Sequence, residues 1–107
     1  MTLPSPDDLA QAPAWENYIV AQCVQAMLGA IPRNALAIAA TIERADVGLH
    51  FQMASVTEED REDISEIESG LLSLVGSAVN VTVTTEVLDR RDSSRFNKVR
   101  WLYLRHV

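Results

Sequence analysis

Residues 35–53, ALAIAATIERADVGLHFQM, constrain the fold more than any other stretch of the chain. Leu36, Ile38, Ala40 and Ile42 alternate with Ala35, Ala37, Ala39 and Thr41, a period of two that indicates an extended strand. After Arg44, Ala45 and Asp46 the alternation resumes, with Val47, Leu49, Phe51 and Met53 set against Gly48, His50, Gln52 and Ala54. So short a link turns the second strand back along the first, and the pair is expected to form an antiparallel hairpin.

Helical patterns flank this hairpin. Ser5, Pro6 and Asp8 have the order of an N-cap, a first-turn proline and a third-position acid, and Pro13 restarts or kinks the helix near Trp15. Ile19, Val20, Cys23, Val24, Met27, Leu28 and Ile31 then recur at threes and fours, an amphipathic spacing that ends near Gly29 to Pro32. Thr57, with Asp60 three residues on and Glu58 and Glu59 between them, starts a second helix. Its apolar stripe is Ile64, Ile67, Leu71, Leu74 and Val75, and Gly76 is placed to end it. Val79, Val81, Val83, Thr85 and Val87 predict a third strand, and Val99 to Val107 a fourth.

The order helix–strand–strand, twice over, predicts an α+β two-layer sandwich. Neither helix can bury its stripe alone, whereas a four-stranded antiparallel sheet offers both a common apolar face. At 107 residues the chain is expected to form one domain over residues 1–107. On the sheet's other face Ala35, Ala37, Ala39, Thr41, Gly48, His50, Gln52, Asn80, Thr82, Thr84 and Glu86 would make a small, polar surface, open to water or offered to a partner. The fourth strand is apolar on both sides, through Val99, Trp101 and Tyr103 against Leu102 and Leu104.

Composition narrows the function. With 48% hydrophobic and 22% charged residues, the chain has the apolar surface a compact fold needs. No apolar run approaches the roughly 20 residues needed to cross a bilayer, and MTLPSPDD lacks the basic and apolar regions of a secretory signal, so a cytoplasmic location and no membrane partner are expected. Cys23 is the single cysteine, which excludes an internal disulfide and fits a reducing compartment. A net charge of −6 argues against direct nucleic-acid binding, which relies on cations neutralising phosphates, and favours basic partners.

Catalytic chemistry finds little support. His50 and Glu86 fall on the same expected sheet face, a conceivable histidine–carboxylate pair, but a solvent-facing strand histidine is the plainer account. Cys23 lies on the first helix's apolar stripe, where cysteine behaves as a small core hydrophobe. One cysteine and the two distant histidines, His50 and His106, have no zinc-ligand spacing, and no glycine-rich nucleotide loop or zinc-protease motif occurs. The expectation is no enzyme, no metal and no cofactor.

Charge is the most informative feature. Glu58, Glu59, Asp60, Glu62, Asp63, Glu66 and Glu68 crowd the start of the second helix, whereas Arg90, Arg91, Arg95, Lys98, Arg100 and Arg105 are six of the nine basic residues. Like charges four apart, such as Glu58 with Glu62, each cost a few tenths of a kcal/mol, so stability alone does not choose them. The plain alternative is a solvated helix face with acids at its positive end. The functional reading is a negative patch, made by Glu43, Asp46, Glu58, Glu59, Asp60, Glu62, Asp63 and Glu66, that steers a basic protein, with aromatic anchors such as Phe96 and Trp101 adding specificity. The basic run DRRDSSRFNK could fold against the acids, bind an acidic partner or touch phosphate.

The run WENYIVAQCVQAMLGAIP, followed by a strand and then GLHFQMASVTEEDREDISEIESGLLSLVG, resembles the immunity proteins of contact-dependent growth inhibition and related polymorphic toxin systems. The resemblance spans residues 15–88, rests on length, element order and texture, and assigns no functional residues. It implies a cytoplasmic protein that binds one cognate toxin domain, often a nuclease, and covers its basic active-site cleft. The competing reading is a homodimeric module that binds a small ligand or a protein; a third is a small enzyme using His50 and Glu86.

Overall fold

The computed structural model describes residues 12–92 and 99–105. Along the chain follow helix α1 (Ala12–Met27), strands β1 (Ala35–Glu43) and β2 (Asp46–Met53), helix α2 (Glu58–Val75), a single 3-10 turn (Gly76–Ala78), and strands β3 (Asn80–Val87) and β4 (Arg100–Leu104). The expected N-cap at Ser5 lies outside the described residues.

The hairpin is present. β1 and β2 pair antiparallel, with Ile38 opposite Phe51, Ala40 opposite Leu49 and Glu43 opposite Asp46. Its tight turn holds Arg44 at φ 55°, the left-handed conformation that two-residue hairpins use to match strand twist. The Arg44 carbonyl accepts the Trp15 indole N–H at 2.7 Å, which ties α1 to the hairpin.

The sheet is mixed, not antiparallel as its texture predicts. Its strand order is β3-β2-β1-β4, and β3 runs parallel to β2, with Asp46 opposite Asn80 through to Met53 opposite Val87. α2 is the cause: it carries the chain from the end of β2 back to where β2 began, and a helical crossover is the usual way to join parallel neighbours. β4 pairs with β1 at the far edge, antiparallel, with a register shift between Ile38 and Ala39. That shift turns Arg100 and Tyr103 toward the helices, opposite Ala40 and Ile38, and Trp101 to the other face, opposite Ala39.

Both helices pack on one face of the sheet and share one core. Trp15, Ile19, Cys23 and Met27 of α1 and Ile64, Ile67 and Leu71 of α2 meet Ile38, Ala40, Val47, Leu49, Phe51 and Met53. α1 buries a narrower stripe than its sequence offers: Val24, Leu28 and Ile31 are exposed, Leu28 by 66%. Residues spaced by four from Trp15 are the fully buried row, Tyr18 and Ala26 pack partly beside them, and Val24 points outward. Gly29 (φ 77°) and Gly76 (φ 68°) end the two helices in the conformation that glycine adopts without penalty.

The second face is the expected open, polar surface only over β3, where Asn80, Thr82 and Thr84 are exposed. Ala37, Ala39 and Gln52 are buried. The link leaving β3 runs onto this face, and at Asp92 it docks through its backbone: the Gln52 amide donates to Asp92 O and accepts from Asp92 N–H, both at 2.8 Å. Arg91 donates to the carbonyl of Arg105 at 2.8 Å, just past β4. Ala35, expected on the second face, joins the core on the helix side, because the pairing shifts between Ala35 and Ala37.

Candidate functional site

α2 carries its charges by periodicity. Asp60, Ile64, Ile67 and Leu71 are the buried row, so residues half a turn away point outward, and Glu58, Glu62 and Glu66 form an exposed line at four-residue spacing. Glu59 is exposed, and Asp63 and Glu68 half-buried, on the flanks. Ser65 and Ser69 sit beside the outer acids, and with Arg61 they line a shallow concavity of about 660 Å³.

Among the described residues, no basic side chain forms an ion pair with Glu58, Glu59, Glu62, Asp63, Glu66 or Glu68. In the described part of the basic C-terminal region two arginines are engaged elsewhere, Arg100 reaching Glu16 at 3.9 Å and Asn17 at 3.4 Å on α1, and Arg91 the Arg105 carbonyl. An outward row of unpaired negative charge remains on α2.

Asp60 does not belong to that row. It is 1% exposed, and its carboxylate accepts the Thr57 backbone N–H at 3.0 Å and the Asn34 side-chain amide at 2.7 Å, while its own N–H donates to Thr57 Oγ1 at 3.1 Å. One acid thereby closes the capping box of α2 and fastens the loop before β1 to it. Burial pushes its carboxyl up, but the hydrogen bonds from Thr57 and Asn34 outweigh this and hold it below the ordinary value of 3.8. Its stabilising effect is therefore complete above pH 3.8 and is lost as the pH falls below it. Asp60→Ala is expected to cost about 2–3 kcal/mol, the sum of a lost cap and an orphaned Asn34 amide. Urea unfolding measures it, and a midpoint equal to that of the parent would refute the bracing role.

The other sequence-derived candidates are dispersed. Glu43 and Asp46 are exposed at the hairpin turn, where Asp46 accepts from the Asn80 side chain at 3.2 Å. β2 leads from there to the opposite end of the sheet before α2 begins, so they do not join the acids at the start of that helix. Trp101 lies on the sheet face away from α2, and Phe96 is outside the described residues.

The histidine–carboxylate idea finds a structural answer. His50 Nε2 meets Thr41 Oγ1 at 3.0 Å and Nδ1 meets Thr84 Oγ1 at 2.5 Å, across three adjacent strands. Burial lowers its pKa, and the charge of Glu86 opposes this in part. Gly48 makes room for the network, since a Cβ there would lie 2.6 Å from Thr41 Oγ1. Cys23 is in the core, where burial pushes its thiol up to about 11 and keeps it protonated. Among the described residues no three or more His, Cys, Asp or Glu side chains group as metal ligands.

A feature that the residue patterns alone did not single out is a groove of about 440 Å³ between α2 and β3, lined by Val56, Ile64, Glu68, Thr85 and Val87. Arg61 and Ser65 line both this groove and the acidic concavity, so the two are continuous.

Residues 16–107 match the MafI2 immunity protein family. The chain belongs to that family. It is an immunity protein, its partner is a cognate toxin protein, and it is not an enzyme. No curated protein matches the chain. For a MafI2 immunity protein the surface that matters is the one a toxin meets, and His50, bonded through both ring nitrogens, needs no catalytic role.

Proposed function

We propose that this immunity protein neutralises a nuclease toxin domain in the cytoplasm by laying the acidic row of α2 over the toxin's basic, phosphate-binding cleft. The observation that carries the proposal is the line Glu58, Glu62 and Glu66, exposed and without a cation partner among the described residues. An enzyme that grips RNA or DNA presents cations, and a row of carboxylates on a rigid helix occupies the same field as a phosphate backbone while offering nothing to cut. Charge brings the two proteins together quickly, and buried contacts then hold them. The protein itself does not bind nucleic acid, because its exposed acids repel phosphates.

Co-expression with the cognate toxin domain tests this. Growth is expected to be restored, and purified toxin to lose nucleic-acid cleavage at a one-to-one ratio. A toxin that is neutralised yet cleaves no RNA or DNA when free would refute the nuclease assignment.

A further inference from the structure

The two edges of the sheet are built differently. β4 is a five-residue strand with a register shift against β1, and Arg100 on it is tied to α1. Short strands, irregular pairing and cations are ordinary means of keeping an edge from recruiting another strand. β3, at the other edge, has none of these. It is eight residues long, NVTVTTEV, in regular register with β2 and with Glu86 as its single charge, and it contains no proline or lysine. One side of its backbone lies at the edge of the sheet.

The space beside that edge is shaped for side chains. The groove between β3 and α2 places Val56, Ile64 and Val87 beside Glu68, and Val87 is 61% exposed. A strand added to β3 would point alternate side chains into this groove, under the overhang of α2. Through Arg61 and Ser65 the groove opens onto the outer acids of α2. An apolar centre with a charged rim is the usual anatomy of a protein interface.

Resting on the immunity reading above, we propose that the toxin docks by adding an extended segment to the outer edge of β3, its alternate apolar side chains entering the groove and its cations meeting Glu68 and the outer row of α2. Main-chain hydrogen bonds supply affinity in this mode, and the groove supplies selectivity. A second copy of the chain fits the edge less well. Pairing β3 with itself would bring two acidic α2 helices onto the same face of the doubled sheet, like charge facing like charge.

The test uses the full chain with its cognate toxin domain. Amide hydrogens of residues 80–87 are expected to exchange at least about tenfold more slowly in the complex than in the free protein. The double variant Thr85→Lys and Val87→Lys alters exposed side chains, keeps the parent circular dichroism, and is expected to dissociate from the toxin at least about tenfold faster. A tight complex whose residues 80–87 gain no protection would overturn strand docking and leave the immunity reading intact. Absence of any complex, together with absence of growth rescue, would remove the immunity reading and this inference with it. A toxin-free dimer that protects residues 80–87 and dissolves in the Val87→Lys variant would make the occupant a second copy, and overturn the choice of the toxin.

Discussion

Ile67→Lys is expected to leave no folded protein. Ile67 is fully buried at the middle of α2, in the core shared with Leu49 and Phe51. Replacing it removes about 1.5–3 kcal/mol of apolar burial and demands either a charged ammonium in the core or its deprotonation there, a further cost of several kcal/mol. A domain of this size has a total of roughly 5–15 kcal/mol to lose. Far-ultraviolet circular dichroism should show a disordered chain at room temperature, with no cooperative melt. Leu72→Lys, on the exposed side of the same helix, should melt as the parent does. A folded Ile67→Lys variant would mean that α2 does not lie against the sheet through this stripe.

The same stripe shows what residue order can reveal. The α2 boundaries were legible because Thr57 and Gly76 are local signals that act through the first and last turns, and the hairpin was legible because its link is too short for any other course. Asp60 was legible in principle. It stands four residues before Ile64 and seven before Ile67, on the buried row, yet it lies in a run of seven acids whose composition points to the surface. The parallel pairing of β3 with β2 was not legible from alternation, since period two says that a strand exists and nothing of its neighbour. What decides the neighbour is the connection: a helix between β2 and β3 returns the chain to the start of β2, and a long link after β3 lets the chain cross to β4.

The alanines of β1 follow the same logic. Ala37 and Ala39 suggested an open platform because small residues are equally suited to a bare surface and to a close-packed one. Only the tertiary structure, which buries Ala37 and Ala39 and sets the chain at Asp92 against Gln52 on the same face, distinguishes them. The acidic row was legible as a row, but its isolation from Glu43 and Asp46 was not, because those residues are near in sequence and a full strand away in space.

Replacing Glu58, Glu62 and Glu66 by glutamine is expected to slow association with the toxin by about 10–100-fold at low ionic strength while leaving the fold untouched. All three are exposed and without an ion-pair partner among the described residues, so no native contact is lost. Two like-charge pairs at four-residue spacing are relieved, by about 0.2–0.5 kcal/mol each, against a comparable loss of Glu58 at the positive end of the helix dipole. Stability should therefore move by less than about 0.5 kcal/mol. Stopped-flow mixing with the toxin domain at low and high salt separates the two roles a charged face can have. If the row steers the toxin, the parent's rate falls steeply with salt and converges on that of the variant, since the screening length shrinks to about 3 Å at 1 M. Dissociation changes less, because steering acts before contact. If the row serves only to keep the protein in solution, parent and variant associate at one rate at every salt concentration, and the variant differs in solubility alone. A charge run on a helix is ordinarily the second case. What sets this one apart is that no described cation pairs with Glu58, Glu62 or Glu66, while Arg91 and Arg100 bind other groups, which leaves the field of α2 directed at an outside partner.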